Sequence, residues 1–292
     1  MNSESIRTFL MLAKVKNFTR TAEKLYVAQS TVTNRILELE NETGKKLFVR
    51  KQGGVELTEE GMVFLDYAQR IGELEDALMQ EINRASRNKK ALKIGTINAV
   101  YESGLYPAIS RFMREKKDYT LKVTLSHSMD MFQLLQDKII DVAFSYVPLK
   151  KAGYECVEMY SDRLALYASP QINAYKNGIR KEELEEVEYL LCNFAYGDVG
   201  VYIMGLFPLR HTFAFEIDNS GKLIRYLKDG LGYSFLPERL AKDAVLSGEL
   251  EEVRLKNFVT PRLTTYCAYR KGNSAAEEFL KVWREENGDQ SE

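Results

Sequence analysis

Between Ala28 and Leu37 the chain gathers Gln29, Ser30, Thr31, Thr33, Asn34 and Arg35, a run of amides, hydroxyls and one guanidinium without a carboxylate. These groups match the hydrogen-bonding edges of bases. Arg pairs bidentately with guanine, Asn or Gln with adenine, and Ser or Thr with either edge or with phosphate. A carboxylate here would be repelled by a phosphate backbone, and the first ones, Glu38 and Glu40, arrive only one to two turns later. Val32, Ile36 and Leu39 recur at i, i+4 and i+7, so the stretch reads as a helix from about Ser30 to Glu42 with one buried and one polar face. Catalysis finds no comparable constellation. The chain has two histidines, His127 and His211, and no G-x-S-x-G, phosphate loop or H-E-x-x-H. Its three cysteines, Cys156, Cys192 and Cys267, lie far apart without C-x-x-C spacing. Neither a disulfide framework nor a zinc site is expected, and no cofactor is implied.

The polar face must be held by neighbouring elements. A first helix from about Ser3 to Lys16 buries Ile6, Phe9, Leu10 and Ala13. A short helix with Ala22 and Leu25 follows, with Thr19 as its expected N-cap. Tyr26-Val27-Ala28-Gln29 is a tight connection, and Gly44 suits the left-handed end of the third helix. Lys45–Lys51, Gln52-Gly53-Gly54 and Val55-Glu56-Leu57 then read as a β-hairpin. Its tip carries Arg50 and Lys51, placed for phosphates or the minor groove. Residues 1–58 hold ten Lys/Arg against six Asp/Glu, whereas the whole chain has a net charge of −1. A basic head on an acidic body is the asymmetry expected when only the head meets nucleic acid.

The order Phe18-Thr19-Arg20, Ala22, Leu25, Gln29-Ser30, Val32-Thr33, Arg35-Ile36, Leu39-Glu40, Gly44, Leu47-Phe48, Arg50, Leu57-Thr58 and Gly61 resembles the N-terminal domain of the LysR-type transcriptional regulators. Lys16-Asn17, Thr21 and Ala28 depart from the family's usual Gly-Ser, Ala and Ser. Ala28 in place of the capping serine leaves the N-cap open, with Ser30 as a candidate to take it over. The resemblance implies a winged helix-turn-helix over residues 1–58 that binds double-stranded DNA. The expected DNA contacts are Arg20, Gln29, Ser30, Thr31, Thr33, Asn34, Arg35, Arg50 and Lys51.

Residues 59–88 form one long helical pattern. Thr58 is its N-cap, and Glu59 and Glu60 suit the positive end of the dipole. Phe64, Ile71, Leu78 and Ala85 recur every seven residues, with Ala68, Leu74 and Ile82 as a second seam. Roughly 40 Å of helix with such a seam suits pairing between subunits. Phe64, Ile71, Leu74, Leu78 and Ile82 are the expected dimer contacts. Similar regulators form dimers and often tetramers.

From residue 89 to 292, short strands alternate with amphipathic helices, an α/β pattern in which βαβαβ order implies a parallel sheet. Leu92-Lys93-Ile94-Gly95, Ile140-Asp141-Val142-Ala143 and Asp229–Pro237 resemble the family's regulatory domain. That domain is two-lobed and similar to periplasmic binding proteins. Lobe I is expected over about 92–162 and 267–292, and lobe II over about 163–266. The chain would cross between them near Arg163 and near Thr265. Gly230–Gly232 reads as a turn into a strand.

Ligands of open α/β sheets bind beyond the carboxyl ends of the strands, beside helix N-termini. The expected effector residues are Asn98, Ala99, Val100, Tyr101, Ser126, His127, Ser128, Ser145 and Tyr146 from lobe I, with Asn193 and Phe194 from lobe II. Free backbone N–H groups there favour an anionic ligand and the aromatics a flat or apolar one, and a small organic acid is expected. The N-terminus lacks the charged and apolar regions of a signal peptide, and no apolar run approaches a membrane span. A cytoplasmic regulator is expected, with RNA polymerase as a further partner if it activates. The competing class is a small-molecule carrier whose head mediates protein contacts. It differs in predicting no salt-dependent DNA affinity.

Overall fold

A computed structural model of the chain describes residues 1–51, 54–85, 90–192 and 198–287. Two compact units divide at Asn88/Lys89.

The first unit is α1 (Ser3–Val15), α2 (Phe18–Leu25), α3 (Gln29–Thr43), the antiparallel pair β1 (Phe48–Lys51) and β2 (Gly54–Leu57), and α4 (Glu59–Ala85). Asn2 caps α1 and Lys16 ends it in the left-handed region. The α2 cap is Asn17, whose side chain accepts from the Arg20 N–H at 3.0 Å. Thr19, the expected cap, is already inside the helix. Ala28 occupies the N-cap of α3 without a side-chain bond. Ser30 therefore lies in the first turn and does not take over the cap. Phe9, Leu12, Ile36, Leu39 and Leu47 close the core, with the Phe9 ring edge-on to Phe64 at 4.7 Å. Burying each such side chain contributes roughly 1.5–3 kcal/mol. Thr58 caps α4 through the Gly61 N–H at 2.8 Å. A Cβ at Gly61 would sit 2.1 Å from the Leu47 carbonyl oxygen, so only glycine admits this approach of α4.

The second unit continues with β3 (Lys90–Thr96), α5 (Asn98–Val100), a wide π-type turn (Tyr101–Leu105), α6 (Tyr106–Glu115), β4 (Tyr119–Leu125), α7 (Ser128–Gln136), β5 (Val142–Ser145) and β6 (Tyr154–Ala168). After these come β7 (Leu190–Cys192), α8 (Asp198–Met204), β8 (Phe215–Ile217), α9 (Ser220–Lys228), β9 (Tyr233–Pro237), α10 (Glu238–Leu246), β10 (Glu251–Val253), β11 (Arg262–Arg270) and α11 (Ser274–Asn287). Strands β4, β3 and β5 are parallel neighbours, and β11 joins β5 antiparallel. On one face of this lobe, α6 and α11 bring Phe112 and Phe279 onto Leu92, Ile94 and Phe144; on the other, α7 covers Ile140 and Ala143.

Strand β6 is longer than the apolar segment Leu164–Ala168 suggests. Its first ten residues carry Glu155, Glu158, Asp162 and Arg163, which hide the strand pattern, yet β11 pairs along them. The last part of β6 pairs β9 and β10 in the second lobe. β6 and β11 thus run through both lobes, with a register shift at Thr265/Tyr266. Cys156 lies opposite Ala268 and Cys267 opposite Val157. Alternation puts the two thiols on opposite faces, where they cannot pair. Cys192 and Cys267 are buried, and burial pushes both thiols upward in pKa, away from the reactive thiolate. No helix among the described residues is long and apolar enough to cross a membrane.

Candidate functional site

In the head, the outer face of α3 exposes Gln29, Ser30 and Asn34, with Thr31 and Thr33 half-buried beside them. The Thr33 hydroxyl donates to the Gln29 carbonyl at 3.1 Å, which ties it to its own helix. The uncapped start of α3 leaves the Gln29 and Ser30 N–H groups outside the helical ladder, as every helix start does, and open to an anionic oxygen. Arg20 is exposed on α2, and Arg50 has no ion-pair partner among the described residues. Lys51 stands 3.9 Å from Glu56 across the hairpin.

Arg35 departs from the expected arrangement. Its guanidinium turns to α1, pairing with the Glu4 carboxylate and donating to the Thr8 hydroxyl at 3.3 Å. Spacing along α3 places Arg35 at the edge of the polar face, but the carboxylate of another helix decides its direction. It clamps α3 onto α1. Glu40 does the same for the wing. Only 7% exposed, it accepts from the Leu47 N–H at 2.9 Å and from Lys46 Nζ at 2.6 Å. A further group was not singled out from sequence: Tyr26, left-handed at the α2–α3 turn and 95% exposed. An aromatic ring at a turn between two core-facing helices was the available signal.

On α4 the seven-residue seam divides. Phe64 and Ile71 pack into the head core and Ala68 is buried there, so Phe64 and Ile71 are withdrawn from the expected pairing face. Leu74, Leu78 and Ile82 remain exposed, joined by Val63 and Tyr67. Periodicity alone gives no means of separating the stripe that serves the head from the stripe beside it.

In the second unit a cavity of about 190 Å³ lies between the lobes, walled by Ile97, Asn98, Ala99, Leu125, Ser126, His127, Ser128, Asp218, Asn219 and Ser220. Strand ends β3 and β4 supply one side and the start of α9 the other. The Asn98 side chain crosses the gap and accepts from the Gly221 N–H at 3.0 Å. Asn219 caps α9 through the Lys222 N–H at 3.0 Å. Ser126 donates to Asp130 at 2.7 Å. His127 begins α7 without a side-chain cap. The wall's ionisable groups are His127 and Asp218, so it offers one carboxylate and amides rather than a cluster of cations.

Four expected residues lie elsewhere. Val100 is buried in the lobe I core, and Tyr101 packs against that core. Ser145 is buried and donates to the Val147 carbonyl at 2.8 Å, shaping a turn. Tyr146 is packed between the cores of the two lobes. Asn193 and Phe194 lie outside the described residues. The lobe II wall instead comes from Asp218-Asn219-Ser220. Asn219 just ahead of the apolar residues Leu223, Ile224 and Leu227 was a readable helix start.

Comparison with known proteins agrees with this architecture. Residues 3–62 match the family model described as a bacterial regulatory helix-turn-helix protein of the lysR family, and residues 85–288 match the LysR substrate binding domain. The chain is 27% identical over 286 residues to the HTH-type transcriptional regulator CitR of Bacillus subtilis (strain 168), covering 96% of this chain and 97% of that one. Its fold is similar to the crystal structure of CbnR, a LysR family transcriptional regulator, with a TM-score of 0.71 at 21% identity, covering 98% of this chain and 99% of that one. Full-length CbnR complexed with its target DNA gives a TM-score of 0.69 at 20% identity, covering 98% and 100%.

Proposed function

Because the chain belongs to the LysR family of transcriptional regulators, we propose that it reads its operator with Gln29, Ser30, Thr31, Thr33 and Asn34 of α3 in the major groove. Arg20, Arg50 and Lys51 anchor the flanking phosphates, and Tyr26 rests on the sugar-phosphate backbone. Arg35 sets the angle of α3 through Glu4. The observation that carries this reading is the acid-free exposed face at the start of α3. Two copies, joined along Val63, Tyr67, Leu74, Leu78 and Ile82, would present two such faces to a pseudo-palindrome.

The effector is a small organic acid that also carries a donor group. Its carboxylate meets the first-turn amides of α7 and His127, and its donor meets Asp218. A volume near 190 Å³ holds only a small molecule. Effector binding alters DNA affinity or bend.

Fluorescence anisotropy on the chain's own upstream region tests the DNA half. Phosphate neutralisation gives log K falling with log[salt] at about −0.9 per phosphate contacted. Substituting Gln29 and Asn34 by Ala should weaken binding to that region while leaving the salt slope. An affinity indifferent to salt would reject DNA contact and favour a carrier protein.

A further inference from the structure

A second and larger cavity, about 800 Å³, opens where β6 and β11 run between the lobes. That volume suits a metabolite-sized ligand. Lobe I contributes Ser103, Gly104 and the end of α11; lobe II contributes α10 and Tyr167; Ser161–Arg163 and Arg262 form the floor.

The charges are arranged unevenly. Arg163 is engaged by two carboxylates, Glu252 at 2.6 Å and Glu238 at 3.3 Å. Glu286 is drawn off to Arg111 at 3.6 Å. Asp162 accepts from the Arg239 N–H at 3.2 Å, and burial lifts its carboxyl above the ordinary range. Two cations lack a carboxylate within ion-pair reach among the described residues. Lys242 is exposed on α10, and Arg262 donates only to the hydroxyl and carbonyl of Ser161. Arg262 also sits directly opposite Arg163 in the strand pair. Glu238 and Glu252 already offset the Arg163 charge, which leaves Arg262 as the cation of that pair open to an outside anion.

We propose that this hinge cavity binds a sugar phosphate, with the phosphate at Arg262 and Lys242 and the hydroxyls donating to Glu238 and Glu252. Both lobes and both connecting strands form the walls, so occupancy bears on the angle between the lobes independently of the front cleft.

The molecule carries its own reporter. The Arg239 guanidinium lies over the Tyr160 ring at 4.3 Å, and that ring stacks on Trp283, 6.2 Å between centroids and 10° between planes. Trp283 is the chain's one tryptophan. Titrating glucose 6-phosphate and ribose 5-phosphate into the full chain should give a saturable change in tryptophan emission. In a Lys242→Ala/Arg262→Ala variant, both positions being exposed, the apparent Kd should rise about tenfold or more. A His127→Ala variant in the front cleft should keep the response. The proposal is overturned if neither sugar phosphate gives a saturable change, if glucose alone gives the same one, if the double variant responds unaltered, or if the response disappears with His127.

Discussion

The head and the regulatory unit hold their functional residues by opposite means. In the head, the proposed reading surface falls mostly within one nine-residue turn and helix start, Tyr26–Asn34, and the rest of the unit positions it. In the regulatory unit, the cavity wall is assembled from Ile97–Ala99, Leu125–Ser128 and Asp218–Ser220. The last of these lies on the far lobe, more than ninety positions along the chain from Ser126. A helix repeats its geometry at every turn, so a contiguous site follows from local rules. A cleft follows from strand order and from which side chains the cores have already taken, and neither is local.

The sharpest way to break this contrast is at the anchor of the head. Phe9→Ala should destabilise the first unit by about 3–5 kcal/mol, since Phe9 is fully buried between Phe48 and Phe64. Urea unfolding followed by circular dichroism measures it. A loss under about 1 kcal/mol would show that the head core closes without it. Next in size, Gln29→Ala and Asn34→Ala should each cost about 1–3 kcal/mol in binding to the cognate site if they read bases, with little change on random DNA. Equal losses on both would make them phosphate contacts and remove the contiguous reading surface.

Gly221→Ala sharpens the other side of the contrast. A Cβ there would lie 2.5 Å from Asn98 Oδ1, so the lobes must part or Asn98 must move. Overpacking of this kind costs about 1–3 kcal/mol. Adding Asn98→Gly should recover most of the lost thermal stability. No recovery would show that the strain lies within α9 and not across the cleft.

The smallest effect concerns Asp162. Its pKa is raised by burial, so the folded chain holds this proton more tightly than the unfolded chain does. Asp162 therefore favours the folded state most at acid pH, and that contribution declines as pH rises from the unfolded to the folded pKa. Asp162→Asn should flatten the stability–pH curve across that interval. An unchanged slope would assign the pH dependence to other carboxylates.

Particular residues show where reading the sequence stops. The three helices, the hairpin and the alternation of parallel strands with helices in the first lobe were legible because apolar spacing and turn residues are local signals. Asn17 rather than Thr19 caps α2, a displacement of two residues that spacing does not resolve. Arg35 was placed among the DNA contacts because its neighbours on α3 are polar, but Glu4 on α1 claims it. Phe64 and Ile71 fit a dimer seam equally well as a core stripe until the head is assembled around them. Val100, Tyr101, Ser145 and Tyr146 sit at or near strand ends, yet alternation and the turns turn them away from the cavity. Asp218, Asn219 and Ser220 were missed because nothing near them in the chain indicates which strand they will face.

Methylation interference at guanine N7, a group that lies only in the major groove, tests the central claim most directly. With the full chain on its own upstream region, the expected result is two interfering tracts, one per copy, about one helical turn apart or a multiple of it, both weakened by Gln29→Ala. One lone tract, or binding that no major-groove methyl group disturbs, would contradict a regulator that reads DNA with paired α3 faces.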